Sequence, residues 1–177
     1  MQALRPVRRV AELGSLARTM KVGLHANMCD STTTRIADAL HAPFKAISER
    51  LSQDYGGTME HLWIDFELIQ SHAERRPPFP FRFQKRVGGS TCKLTGLPTP
   101  LCENVGHYSV RPDFQELRSV PQESIVSYVL SLIYASTAVL IEKQKKLGGF
   151  DVDRFRSDFV STCKQHGYEI SVPAGAR

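Results

Sequence analysis

A seven-residue stretch near the middle of the chain sets the strongest constraint on its fold. Leu62, Ile64, Phe66 and Leu68 alternate with Trp63, Asp65 and Glu67. A period of two puts the apolar side chains on one face and the Trp and two carboxylates on the other, so the segment reads as a strand with one buried face. A lone strand cannot satisfy its own backbone, so other strands must join it. Phe79, Phe81 and Phe83 alternate with Pro80, Arg82 and Gln84 and run on into Lys85 and Arg86. This predicts a second strand with an aromatic face and a partly basic one. Residues 107–110 predict a short third strand, stopped by Arg111-Pro112.

Helical spacing surrounds these strands. Val10, Leu13, Leu16, Ala17 and Met20 predict a helix over 8–20. A turn-like stretch with Gly23, Asn27 and Asp30 follows, and Asp30 or Ser31 is placed to cap the next helix. Residues 33–55 are helical in composition, with Pro43 inside, and end at Gly56-Gly57. Residues 88–106, rich in Gly, Pro, Thr and Ser, predict a long loop. Ser119, with Pro121 and Gln122 after it, predicts the start of a helix that runs to about 146 and stops at Gly148-Gly149. A last helix is predicted over 151–166, with Val152, Phe155, Phe159 and Val160 on one side.

This order predicts an α+β fold: N-terminal helices, a small antiparallel sheet of two or three strands, and two C-terminal helices. Residues 1–172 read as one domain, with a helical part at 8–55, a β-hairpin at 60–87, a helical part at 119–166, and a tail at 173–177. A chain of 177 residues with 41% hydrophobic and 23% charged side chains can bury one such core.

The formal net charge is +5 and the sequence pI about 9.2. That excess permits nucleic-acid or acidic-protein partners. Residues 125–141 contain no charge but include Ser127, Ser131, Ser136 and Thr137. A membrane span needs about 20 apolar residues, so a buried helix or a dimer interface is the reading here. The four cysteines, Cys29, Cys92, Cys102 and Cys163, are scattered, and the basic N-terminus leads into no apolar run. Reduced thiols and a cytoplasmic location are expected.

Residues 33–52 read TTRIADALHAPFKAISERLS. Ala37 is a small residue in the first half; Ile36, Leu40, Ile47 and Leu51 are apolar at packing positions; His41-Ala42-Pro43 can form a turn, with Pro43 in the first turn of a second helix. The segment resembles the helix-turn-helix of DNA-binding regulators. That resemblance implies a recognition helix projecting Lys45, Ser48, Glu49 and Ser52 toward the major groove, with Arg50 less well placed. A β-hairpin follows where a winged helix carries its wing, and Arg75, Arg76, Arg82 and Arg86 would then meet the DNA backbone. The competing reading is one amphipathic helix kinked at Pro43, because Ile36, Leu40, Phe44, Ile47 and Leu51 make a single stripe.

Other constellations are weaker. Cys92, Cys102 and His107 lie in or beside one loop, and His25 with Cys29 or His166 with Cys163 could add ligands, but no paired cysteines stand two to four residues apart as structural zinc sites require. Cys102 with His107 is a conceivable nucleophile pair that lacks an orienting motif. Asp65 and Glu67 share a face, as a solvated sheet face would place them. The expected function is non-enzymatic duplex-DNA binding, with no cofactor, a homo-oligomer or protein partner through 119–146, and no membrane. The alternative is a small protein-interaction subunit of a multi-component bacterial-type system.

Overall fold

The sheet is built around the strand that the alternation predicts. The computed structural model describes residues 18–27, 31–68, 83–87, 90–96, 104–143 and 148–171. Strand β1 (Lys21–Asn27) leads through helix α1 (Thr34–Leu51) to β2 (His61–Glu67). Strands β3 (Phe83–Val87), β4 (Ser90–Gly96) and β5 (Val105–Arg111) follow, then helices α2 (Phe114–Ser119), α3 (Ile125–Ser136), α4 (Ala138–Lys143) and α5 (Val152–Gln165). The five strands lie in the order β1-β2-β5-β4-β3. The fold is α+β.

The sheet differs from the expected small antiparallel one. Strands β1, β2 and β5 run parallel, and only β4 and β3 are antiparallel additions at one edge. The cause is the connection from β1 to β2. A helix of 18 residues carries the chain back along the sheet, and strands joined by such a crossover pair in parallel. Residues 21–27, expected as a turn, form β1, because Val22, Leu24 and Ala26 alternate inward around Gly23. The predicted loop over 88–106 contains β4, and β5 begins within it. Residues 18–20 are not helical, and residues 8–17, 79–82 and 173–177 lie outside the described residues.

Helix α1 is a single helix through Pro43. The turn implied at His41-Ala42-Pro43 does not form. Leu40, Phe44, Ile47 and Leu51 are each at most 2% exposed. Burying each contributes about 1.5–3 kcal/mol, and together they outweigh the ~3 kcal/mol that an internal proline costs. The cap is Thr33, not Asp30 or Ser31, and its hydroxyl donates to the Leu68 carbonyl (2.9 Å) rather than accepting from the helix.

The uncharged run over 125–141 divides into α3 and α4, preceded by α2 and a short 3-10 turn at Gln122–Ser124. The single helix expected from Ser119 is interrupted by Pro121, and the real start is Asp113, whose carboxylate accepts from the Gln115 amide (2.8 Å). Ile125, Val129, Leu130, Leu132, Ile133 and Leu140 are buried in the chain's own core, so their hydrophobicity requires no partner. Among the described residues no helix is long and apolar enough to cross a membrane.

Helix α5 matches its predicted range, and Asp151 caps it by accepting from the Arg154 amide (2.9 Å). Its Phe155 and Phe159 pack with Tyr55, Phe150 and Tyr134. Burial pushes the Cys163 thiol on this helix up to about 12, which leaves it protonated and inert near neutral pH.

The free edge of β1 is closed by α1. The Leu24 N–H donates to Ser48 Oγ (2.9 Å) and the Val22 N–H to Ser52 Oγ (3.0 Å). Two edge donors are thereby satisfied without another strand. Removing both hydroxyls in Ser48→Ala/Ser52→Ala should cost about 1–3 kcal/mol per orphaned donor, read as a lower denaturant midpoint with an unchanged slope. An unaltered midpoint would mean that solvent serves these amides.

Candidate functional site

The two faces of the parallel strands differ completely. Val22, Leu24, Leu62, Ile64, Phe66, Tyr108 and Val110 join the described helices in one apolar core. By alternation, the other face carries the polar set. The register arranges it in rows: Lys21, His61 and Val105; then Gly23, Trp63 and His107; then His25, Asp65 and Ser109. Glu67 and Arg111 continue the pattern at the strand ends.

Trp63 holds the centre of this face. Its indole stacks on the His61 ring at 5.6 Å between centroids and 13° between planes. The His25 ring lies at 5.3 Å, tilted by 47°. The indole can lie across β1 because Gly23 has no side chain: a Cβ there would stand 2.2 Å from both Cε3 and Cζ3 of Trp63. Trp63 nevertheless remains only half-buried.

Beside Trp63, His107 Nε2 hydrogen-bonds Asp65 Oδ2. The Asp65 side chain is 10% exposed, whereas the His107 side chain is 41% exposed. A buried carboxylate that accepts from one ring nitrogen fixes both the orientation and the tautomer of the imidazole. One row further along, Arg111 Nε donates to Glu67 Oε2 (2.9 Å). Asp65 and Glu67 are therefore paired groups rather than a freely solvated face. Among the described residues, His61 Nδ1 is buried with no hydrogen-bond partner. An orphaned N–H costs more than an orphaned lone pair, which favours the tautomer with its proton on Nε2.

A groove of about 880 Å³ runs from this face around the β1 edge to α1. Trp63, His25, Gly23 and Lys21 line one side; Asp38, His41, Lys45 and Glu49 line the other. The structure brings Lys45, Ser48, Glu49 and Ser52 together along this groove. Ser48 and Ser52 are turned to the β1 backbone, and Lys45 and Glu49 border the groove. Arg75, Arg76 and Arg82 lie outside the described residues, and of Arg86 only its backbone position in β3 is described.

Of the weak metal candidates Cys92, Cys102 and His107, only His107 has a described side chain. Cys92 is opposite Val110 in the β4–β5 pairing, Cys102 lies outside the described residues, and His107 is engaged by Asp65. Among the described residues no group of three or more His, Cys, Asp and Glu side chains is placed to hold a metal ion. Sequence reasoning missed Trp63, His25, His61, Asp65 and His107 as one site. Two signals pointed there: Trp63 is the only tryptophan in the chain, and it falls on the polar side of an otherwise strict alternation. No family model, curated protein or solved structure matches this chain.

Proposed function

We propose that this protein binds single-stranded nucleic acid on the polar face of β1, β2 and β5. The observation that carries this reading is the half-buried Trp63 indole, set between the His25 and His61 rings on a polar sheet face. A large aromatic side chain on the polar side of a sheet is a stacking surface for a base, and every base has a π-face. Lys21 and Lys45 border the adjoining groove and supply phosphate contacts, although Asp38 and Glu49 in the same wall limit its positive potential. The net charge of +5 agrees in sign. Duplex reading by α1 has no such support, since its turn is absent and two of its four contact residues are bound to β1.

Trp63 makes the test direct. A single-stranded oligonucleotide stacked on the indole is expected to quench the protein's tryptophan emission, and added salt to reverse it. Trp63→Ala should weaken binding about 5-fold or more, since one base–aromatic stack is worth ~1–3 kcal/mol; anisotropy of a labelled oligonucleotide reads this in a variant without tryptophan. Unquenched emission at low salt, or equal affinity in Trp63→Ala, would sink the reading.

A further inference from the structure

Stacking on Trp63 accepts every base alike, but the groove wall beside the indole does not. We infer that this site selects guanine, with Glu49 as the residue that reads the base. Guanine selection rests on the nucleic-acid reading and adds a preference that stacking alone does not give.

The indole leans toward Glu49. A Cβ on Gly23 would stand 2.2 Å from Trp63 Cε3 and Cζ3, so the six-membered ring lies over β1, the edge strand along which α1 runs. A base stacked on that ring extends toward the same edge. Two hydrogen bonds set the register of α1 against β1: Ser52 Oγ accepts from the Val22 N–H (3.0 Å) and Ser48 Oγ from the Leu24 N–H (2.9 Å). Glu49 falls between the two serines as Gly23 falls between the two amides, so Glu49 stands level with the residue over which the indole lies. Glu49 and Trp63 line one groove. Glu49 is exposed, and among the described residues its carboxylate makes no hydrogen bond or ion pair. Both of its oxygens are open to a ligand.

A carboxylate accepts hydrogen bonds and donates none. Bases in a single strand are read on their exposed pairing edges. Guanine presents two adjacent donors there, N1–H and the 2-amino group, which match the two oxygens of one carboxylate. Adenine and cytosine each present one amino donor beside a bare ring nitrogen, whose lone pair repels the second oxygen. Uracil and thymine present one N–H between two carbonyls, which repel it in the same way. Asp38 lines the same groove but stands about 16 Å from Glu49 along α1, at about 1.5 Å per residue. It does not reach the same base. Lys21 and Lys45 remain for the flanking phosphates.

The experiment titrates the full chain with short thymine oligonucleotides whose central base is thymine, adenine, cytosine, guanine or hypoxanthine, and reads each midpoint from Trp63 quenching. The guanine oligonucleotide should bind about 5-fold or more tighter than the others, the discrimination of a bidentate base contact. Hypoxanthine keeps N1–H and lacks the 2-amino group, so it should bind more weakly than guanine; equal binding overturns the two-donor contact. Glu49→Gln should abolish the preference. Affinity for the guanine oligonucleotide should fall, and affinity for the all-thymine one should rise because a negative charge leaves the groove. Asp38→Asn removes an equal charge and should keep the preference. A guanine preference that survives Glu49→Gln, or a loss shared equally by every oligonucleotide, overturns the role of Glu49. Equal affinities in the parent protein, or a preference for another base, overturn guanine selection and leave the stacking reading standing. Guanosine 5′-monophosphate should quench only at higher concentration, since it offers the two lysines a single phosphate; a midpoint equal to that of the guanine oligonucleotide makes a free nucleotide the ligand and overturns the strand reading. Absence of quenching by every oligonucleotide overturns both readings.

Discussion

Phe44→Ala is expected to destabilise the chain by about 3–5 kcal/mol, the range for truncating a buried aromatic. For a chain of this size that is a fall in Tm on the order of 10 °C. Phe44 is 2% exposed and stands in the core stripe with Leu40, Ile47 and Leu51. Its ring is buried in the shared core of the helices and the sheet, so truncation removes the transfer energy and leaves a cavity. The two readings of residues 33–52 separate sharply here. On a recognition helix Phe44 would face solvent, and its loss would change stability by less than about 0.5 kcal/mol. Thermal unfolding of Phe44→Ala beside Lys45→Ala decides the matter: the first should melt far below the parent protein and the second close to it. Equal melting of the two would restore the turn at His41-Ala42-Pro43.

Local periodicity revealed the elements whose faces differ strongly. Strand β2 shows three inward apolar residues, Leu62, Ile64 and Phe66, against Trp63, Asp65 and Glu67, and α5 shows Phe155 and Phe159 behind an Asp cap. Both emerge from the residues alone. Strand β1 did not, because it is an edge strand and carries Gly23 and Asn27, which also mark turns. Its outward N–H groups are met by Ser48 and Ser52, 24 and 30 residues away, and no spacing rule signals that. Missing β1 also concealed the crossover, and with it the parallel direction of the sheet.

The site was hidden for a related reason. Asp65 meets His107 across 42 residues and Glu67 meets Arg111 across 44. The spacing of each pair on its own strand is legible, but which strands adjoin is not. Only the register of β2 with β5 turns four separate polar residues into two pairs. The segment that resembles a helix-turn-helix poses a problem at the opposite scale, since it lies in one continuous helix. Its small and apolar positions suit one long helix equally well, and packing against β1 chose the long helix.

Gly23→Ala should impair binding as severely as the loss of Trp63 itself, although Gly23 has no side chain to offer a ligand. The new Cβ would lie 2.2 Å from two indole carbons and 2.5 Å from His25 Nε2. Carbon atoms in contact sit about 3.5–4.0 Å apart, so the indole cannot stay over β1. Alanine suits an extended strand, so the backbone itself is not strained. The effect therefore acts through the ring. Displacing it breaks the contact with His25 and opens the stack with His61, and the intrinsic emission should shift in the free protein. Oligonucleotide affinity should fall about 5-fold or more, the loss of one stacked base. Because both changes remove the same platform, Gly23→Ala combined with Trp63→Ala should bind no worse than Trp63→Ala alone. The double variant should also be more stable than the sum of the two single losses implies, since removing the indole removes the clash. Strictly additive effects on affinity would show that Gly23 acts elsewhere than on Trp63, and the stacking platform would have to be abandoned.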